Sequence, residues 1–200
     1  MANVDAPQGL VPIRHKNGEA YNGAVNPYYI ASTYAVSLKR GDPVIITGTS
    51  NATAYMGYEP GTLPEIEKAT AAGGAYTTGV VVGFMADPDN LDKSYNVASN
   101  ERIAFVADDP DLVFEIQEDS GGTVLDADDV GLNADYVFTH DGSTVNGISG
   151  VELDRSTVNT TNTLQMKILR LSCRVGNSLG DSAVWEVMIN LHTQRYLTGI

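Results

Sequence analysis

Apolar residues fall along this chain in short, strand-length runs separated by turn clusters, and two stretches show the pattern best. In the first, Ile103 to Asp119 (IAFVADDPDLVFEIQED), the apolar run Ile103 to Val106 is followed by the turn cluster Asp108-Asp109-Pro110-Asp111. Leu112, Phe114 and Ile116 then alternate with Val113, Glu115 and Gln117. This predicts a β-hairpin that buries Leu112, Phe114 and Ile116 and turns Glu115 and Gln117 toward solvent. Pro110 has no N–H to give a ladder and belongs in the connection. In the second stretch, Leu164, Met166 and Ile168 alternate with Gln165 and Lys167. Trp185, Val187, Ile189 and Leu191 alternate with Val184, Glu186, Met188 and Asn190. The two are predicted to pair antiparallel around the loop Gly176 to Asp181.

The rest of the chain fills in around these. Residues 1–27 hold three prolines and several Gly and Asn turn signals, with Leu10, Val11 and Ile13 as the sole apolar cluster. They read as an extended N-terminal arm that lies on a partner surface. Tyr29-Ile30 with Tyr34 to Leu38 as a strand region, the turn Lys39 to Pro43 and the run Val44 to Thr47 predict a second hairpin. Within the long excursion Gly48 to Gly74, Thr62 to Ala69 reads as one helical turn or a short strand. Gly79 to Met85 predicts a central strand, Ala86 to Asn100 a polar loop, and Val124 to Gly131 a short helix capped by Asp126 and closed by Gly131. Tyr136 to Thr139 and Gly147 to Leu153 read as further extended pieces, and no sequence repeat is visible.

The expected fold is therefore all-β, an antiparallel β-barrel or β-sandwich spanning residues 28–191, with extended arms at 1–27 and 192–200. Its expected core is Val44, Ile46, Val81, Ile103, Phe105, Leu112, Phe114, Ile116, Ile168, Trp185, Val187 and Ile189.

Charge adds a division that hydropathy does not show. The net charge is -13, yet residues 1–40 carry +2, residues 41–160 carry -17 and residues 161–200 carry +2. An acidic middle lacks the clustered Lys and Arg of sequence-independent nucleic-acid binding, so no direct nucleic-acid partner is expected. The ends combine apolar and basic side chains: Leu10, Val11, Ile13, Arg14, His15 and Lys16 at one, Arg195 and Tyr196 at the other. These are the candidate interface residues. No run approaches the ~20 apolar residues of a membrane span, and the first residues lack the basic start and apolar centre of a secretory signal. A soluble protein made in the cytoplasm is expected. Cys173 is the only cysteine, which leaves no intrachain disulfide and no thiolate zinc cluster.

Candidate chemistry is thin. Asp87 to Asp92 and the run from Asp126 each resemble part of a calcium loop. The first lacks the sixth-position glycine and the twelfth-position glutamate, the second the twelfth-position glutamate. Both read as solvated turns, so no metal and no cofactor is expected. The three histidines, His15, His140 and His192, sit in no nucleophile, zinc, phosphate or dinucleotide motif, and an enzyme is not expected. Tyr28, Tyr29, Tyr34, Tyr55 and Tyr58 offer a possible aromatic platform for a glycan, against the commoner reading of half-buried strand tyrosines.

Several segments resemble virion structural proteins of tailed bacteriophages. They are the opening Met1 to Pro7 with Gly9-Leu10 and Pro12, Val106 to Asp111 through Phe114 to Asp119, Asp129 to Asp135, Gly150 to Asp154, Leu164 to Leu169 and the closing Thr198-Gly199-Ile200. The Gly41-Asp42-Pro43-Val44 turn followed by Gly79 to Gly83 is also similar to small β-barrel and β-tulip decoration proteins. The resemblance implies a virion component, a capsid decoration (cement) protein on the outside of the head. It would be made in the bacterial host cytoplasm, with the major capsid protein and other copies of itself, as in a homotrimer, for partners. A head-to-tail connector or tail protein, a carbohydrate-binding module on the virion and an unrecognised hydrolase stand beside it as alternatives.

Overall fold

The computed structural model describes residues 3–195. Among them are eleven β-strands, one 3-10 turn at Ala127–Asp129 and no α-helix. The strands are β1 (Val11–His15), β2 (Asn26–Ile30), β3 (Pro43–Ser50), β4 (Pro64–Lys68), β5 (Gly79–Phe84) and β6 (Arg102–Ala107). They continue with β7 (Leu112–Gln117), β8 (Asn133–Val137), β9 (Glu152–Asn159), β10 (Met166–Leu171) and β11 (Val184–Ile189).

The strands make two closed units. β2-β4-β3-β5-β6 form a barrel, and β7-β11-β10-β8-β9 form a sheet that carries β1 on the free side of β7. That sheet also closes: Glu118 bridges Leu153 in parallel, and the Asp119 N–H donates to the Leu153 carbonyl at 2.9 Å, returning the end of β7 to β9. With strands numbered one to five within each unit, both rings run 1-3-2-4-5-1. In both, the pair 1-3 is parallel and the other four are antiparallel. The chain is thus two consecutive barrels of one topology.

The likeness extends to register. Pro43 faces Val80 and Val44 faces Gly79, as Asn133 faces Lys167 and Ala134 faces Met166. Ahead of the second strand, the Gly41 N–H donates to Val81 O at 2.8 Å and the Val81 N–H to Asp42 O at 3.0 Å. In the other barrel the Gly131 N–H donates to Ile168 O and the Ile168 N–H to Leu132 O, both at 2.9 Å. Gly41 and Gly131 hold φ of 90° and 92°, a left-handed turn that costs glycine nothing sterically. One residue later both fourth strands carry a bulge, between Val81 and Gly83 and between Ile168 and Arg170.

The inward residues compensate each other in volume. Tyr28 faces Ala104 in the first barrel, and at the matching positions Ile116 faces Trp185 in the second. A large and a small side chain have exchanged strands, the kind of swap a packed core tolerates. Tyr28, Ala104, Ile116 and Trp185 are all buried.

Several sequence expectations need correction. Ile103 to Asp119 is two strands but no hairpin: β6 belongs to the first barrel and β7 to the second. Each strand is apolar on both faces, with Ile103 and Val113 buried as well as Ala104 and Phe114, so each needs neighbours of its own. Between them Asp108 is held by Asn26 Nδ2 at 2.9 Å, by the Tyr28 hydroxyl at 2.7 Å and by Gln194 Nε2 at 3.2 Å. These bonds fix the crossing between barrels. Gln117, expected in solvent, is buried. The second expected hairpin also fails: residues 34–38 form no strand, and β3 pairs with β4 and β5. Thr62 to Ala69 contains β4, the strand option of the two. The β10–β11 pair and the Asp126-capped turn form as expected, the latter with Asp129 completing a capping box. The expected core residues are buried, apart from Ile46 and Phe105, which are half-buried.

Candidate functional site

Of the eight candidate interface residues, the structure places seven, and Tyr196 lies outside the described residues. Residues 1–27 were expected to reach away from the body, yet Val11–His15 is strand β1, antiparallel to β7. Leu10 is buried in the core shared with Phe114 and Trp185. Leu10, the first residue of the supposed arm's apolar cluster, is consumed by the protein's own second barrel.

Arg14 is likewise engaged. Its Nη2 lies 2.7 Å from Glu186 Oε2, and Arg170 Nε lies 2.9 Å from the same oxygen. Burial works to raise the Glu186 carboxyl, but the two guanidinium groups outweigh it and hold the group below the usual carboxylate range. His15 Nδ1 sits 3.2 Å from Asp109, and the Lys16 N–H donates to Asp111 O at 2.8 Å. Arg195 joins the same place, pairing with Asp111 at 3.2 Å and donating to the Pro110 carbonyl. His15, Lys16 and Arg195 therefore meet at the crossing between barrels, where the end of β1 and the last described residue are fastened. Val11 and Lys16 remain exposed, and Ile13 is half-buried.

The start of the chain makes the more open feature. Gln117 donates to the Val4 carbonyl at 2.8 Å and accepts from the Ala6 N–H at 2.9 Å. Asn3 donates to Ser178 O and Asp181 O, both at 2.9 Å. The segment is strapped across β7 and β11, and beneath it runs a groove of about 250 Å3 lined by Val4, Val11, Ile116, Val184, Arg174 and Val175. Its lining is mixed: Glu115, Gln117, Asn177 and Ser182 stand beside these residues, and Val4, Val11 and Val175 are exposed along it.

Other candidates are occupied by the protein's own groups. Asp87 accepts from Asn100 Nδ2 at 2.8 Å and from the Asp89 N–H at 3.0 Å, and its carboxyl is held low by these donors. No group of three metal-ligating side chains occurs among the described residues. His140 Nδ1 lies 2.9 Å from Glu152, whose carboxyl is raised by burial against that neighbour. His192 is fully buried, and burial lowers its pKa to about 4. Neither is paired with a serine, threonine or cysteine side chain among the described residues. The tyrosines form no single platform: Tyr28 faces the barrel interior, and the Tyr34 hydroxyl accepts from the Lys68 N–H at 2.9 Å. Tyr29 and Tyr55 meet edge to face at 6.0 Å.

One buried network was not foreseen. Glu118 occupies an inward position where the first barrel has Ile30, and its carboxylate meets Arg155 at 3.2 Å and the Trp185 indole N–H at 2.9 Å. Arg155 also donates to Gly121 O, Ser120 O and Asp181. The signal was present in the alternation: carried two residues past Ile116, it points Glu118 inward.

These features define an all-β, two-barrel protein with packed interiors, whose open groove lies on the outside of the second barrel. No family model, no curated protein and no solved structure matches the chain.

Proposed function

We propose that this protein is a structural component of a tailed-bacteriophage virion, a capsid decoration protein that binds the outside of the head and stabilises the coat lattice. The observation that carries the reading from the structure is that both barrels are filled by their own side chains, while the open groove lies on an outer face. A protein so built works through its surface. The sequence resemblance, which extends over nearly the whole chain, supplies the virion. Major capsid protein and other copies of this chain are the partners, and the acidic stretch 41–160 keeps the exposed body soluble. Many modest contacts repeated over a shell add by avidity.

The test is addition of purified protein to heads that lack it, followed by imaging of the particles. Stoichiometric density at one repeated site on the outer coat, with greater resistance of the heads to heat, is the expected result. Density confined to the neck or tail would replace decoration with the connector or tail reading, and no binding to any part of the particle would overturn the virion reading.

A further inference from the structure

The two barrels are built alike but covered differently on their outer faces. On the first, Tyr29 of β2, Ile103 of β6 and Met85 are roofed by the barrel's own β3–β4 connection, from which Tyr55, Tyr58 and Leu63 pack against them. The Tyr55 hydroxyl donates to Glu101 O at 2.9 Å. Register puts Gln117, Val184 and Ser172 at the matching places on the second barrel. The matching connection there, residues 138–151, is drawn away to the first barrel. Ile148 bridges Arg40, and the Ser149 hydroxyl donates to Asp42 at 2.6 Å. The surface is crossed instead by Asn3 to Gln8, a segment without an aromatic residue. Gln117 and Ser172 are already buried there, and the groove is what the segment leaves open beside Val184.

We propose that this groove accepts the Tyr55–Tyr58 turn of a second copy of the chain, with Met56 as the inserted side chain. The turn already provides the cover for the equivalent surface in its own barrel. Its outer side presents Met56, 43% exposed, at φ 49°, a left-handed conformation that glycine or asparagine would take more readily. An unbranched thioether adapts to an irregular groove such as this one, where it would meet Val4, Val11, Val175 and Val184. Charge agrees: Glu59 is the one charged residue of 51–62. The groove is lined by Arg174, 45% exposed, with Glu115, 22% exposed, at 3.7 Å from it, so Arg174 is the cation that Glu59 of the entering turn would meet. Donor and acceptor sit on different barrels, so the contact is head to tail and repeats from copy to copy, closing into a ring where the rotation allows. It is a property of the isolated protein and does not depend on the virion reading.

Cys173, exposed and two residues from Val175, supplies a native probe. In Met56→Cys protein under mild oxidant, peptide mass mapping is expected to show a 56–173 intermolecular disulfide. It should form at least tenfold faster than the 145–173 bond in Val145→Cys, whose site is exposed on the β8–β9 connection and does not line the groove. Val175→Asp should slow the 56–173 bond by a similar factor. In sedimentation equilibrium, Met56→Asp and Val175→Asp should each weaken self-association at least tenfold with unchanged melting, since both side chains are exposed. Wild-type protein that stays monomeric at every concentration, or a 56–173 bond no faster than the 145–173 bond, would overturn the proposal. Self-association with these properties in a protein that binds no phage particle would overturn the virion reading alone.

Discussion

Arg155→Met is the sharpest perturbation of the second barrel. The Arg155 side chain is 5% exposed and that of Glu118 0%; of the two other acidic partners of Arg155, Asp119 is as far as 4.0 Å and Asp181 is 77% exposed. A pair with so exposed a partner contributes ~0–1 kcal/mol, so the loss of Asp181 matters little. The cost arises at Glu118, left charged in the core with the Trp185 indole as its remaining side-chain donor. Breaking a buried pair from one side costs ~3–5 kcal/mol, and that is the expected loss near neutral pH. Burial already raises the Glu118 carboxyl above its ordinary 4.5, against the pull of Trp185 and Arg155. Without Arg155 it rises further. A carboxyl whose folded pKa exceeds its unfolded pKa holds its proton more tightly in the folded state, so stability falls as pH climbs from about 4.5 through the folded value. The deficit should therefore shrink at pH 5 and reach its full size at pH 8. Adding Glu118→Gln should recover part of it. Urea unfolding followed by fluorescence of Trp185, the only tryptophan, reads the same site directly. A loss below about 1 kcal/mol at pH 8, or one that grows on acidification, would refute the reasoning.

Two further outcomes follow from the same geometry. His192 is neutral in the fold, with Nδ1 accepting from the Gln194 N–H at 3.1 Å and Nε2 without a partner among the described residues. Its pKa drops from 6.5 to about 4, so wild-type stability should fall as pH drops through that window, and His192→Gln should flatten this limb in pH-dependent melting. Gly41 and Gly131 play one backbone role in unlike surroundings: a Cβ on Gly131 meets nothing within 4 Å, while one on Gly41 lies 2.6 Å from Gln8 O. Gly131→Ala should lose about 1–2 kcal/mol for its left-handed backbone. Gly41→Ala should lose clearly more, because the Gln8 carbonyl must move beside buried Leu10, and equal losses would refute this account.

The sequence disclosed segments better than partners. Alternation located β7, β10 and β11, and turn chemistry located the Asp126 cap, because these depend on neighbours within a few residues. Pairing depends on which faces are buried, and here local cues misled. Asp108 to Asp111 has the composition of a hairpin turn, but strands apolar on both faces belong to separate layers. The supposed arm failed for a related reason: Leu10 and Ile13 looked stranded only because their partners, Phe114 and its neighbours, lie a hundred residues away. Glu118 stood outside the expected core, although its position in the alternation is inward. The duplication was invisible because matched positions rarely share a residue; Gly41 with Gly131, Glu65 with Glu152 and Val106 with Val187 are exceptions.

What the barrels share is backbone: a left-handed glycine, a bulge and a constant inward volume. Outward positions were free to diverge, and one row shows how the divergence controls strand addition. In the second barrel Glu186 lies between Glu115 and Arg170, and β1 pairs along β7 with Val11 opposite Glu115 and Arg14 on Glu186. The matching row in the first barrel is Phe105 between Pro27 and Gly83. A strand laid there as β1 is laid on β7 would find no N–H at Pro27 and no carboxylate for its arginine. One barrel accepts the N-terminal strand and the other refuses it, so a single β1 serves a doubled fold, and the edge of β2 is protected against pairing with a stray strand.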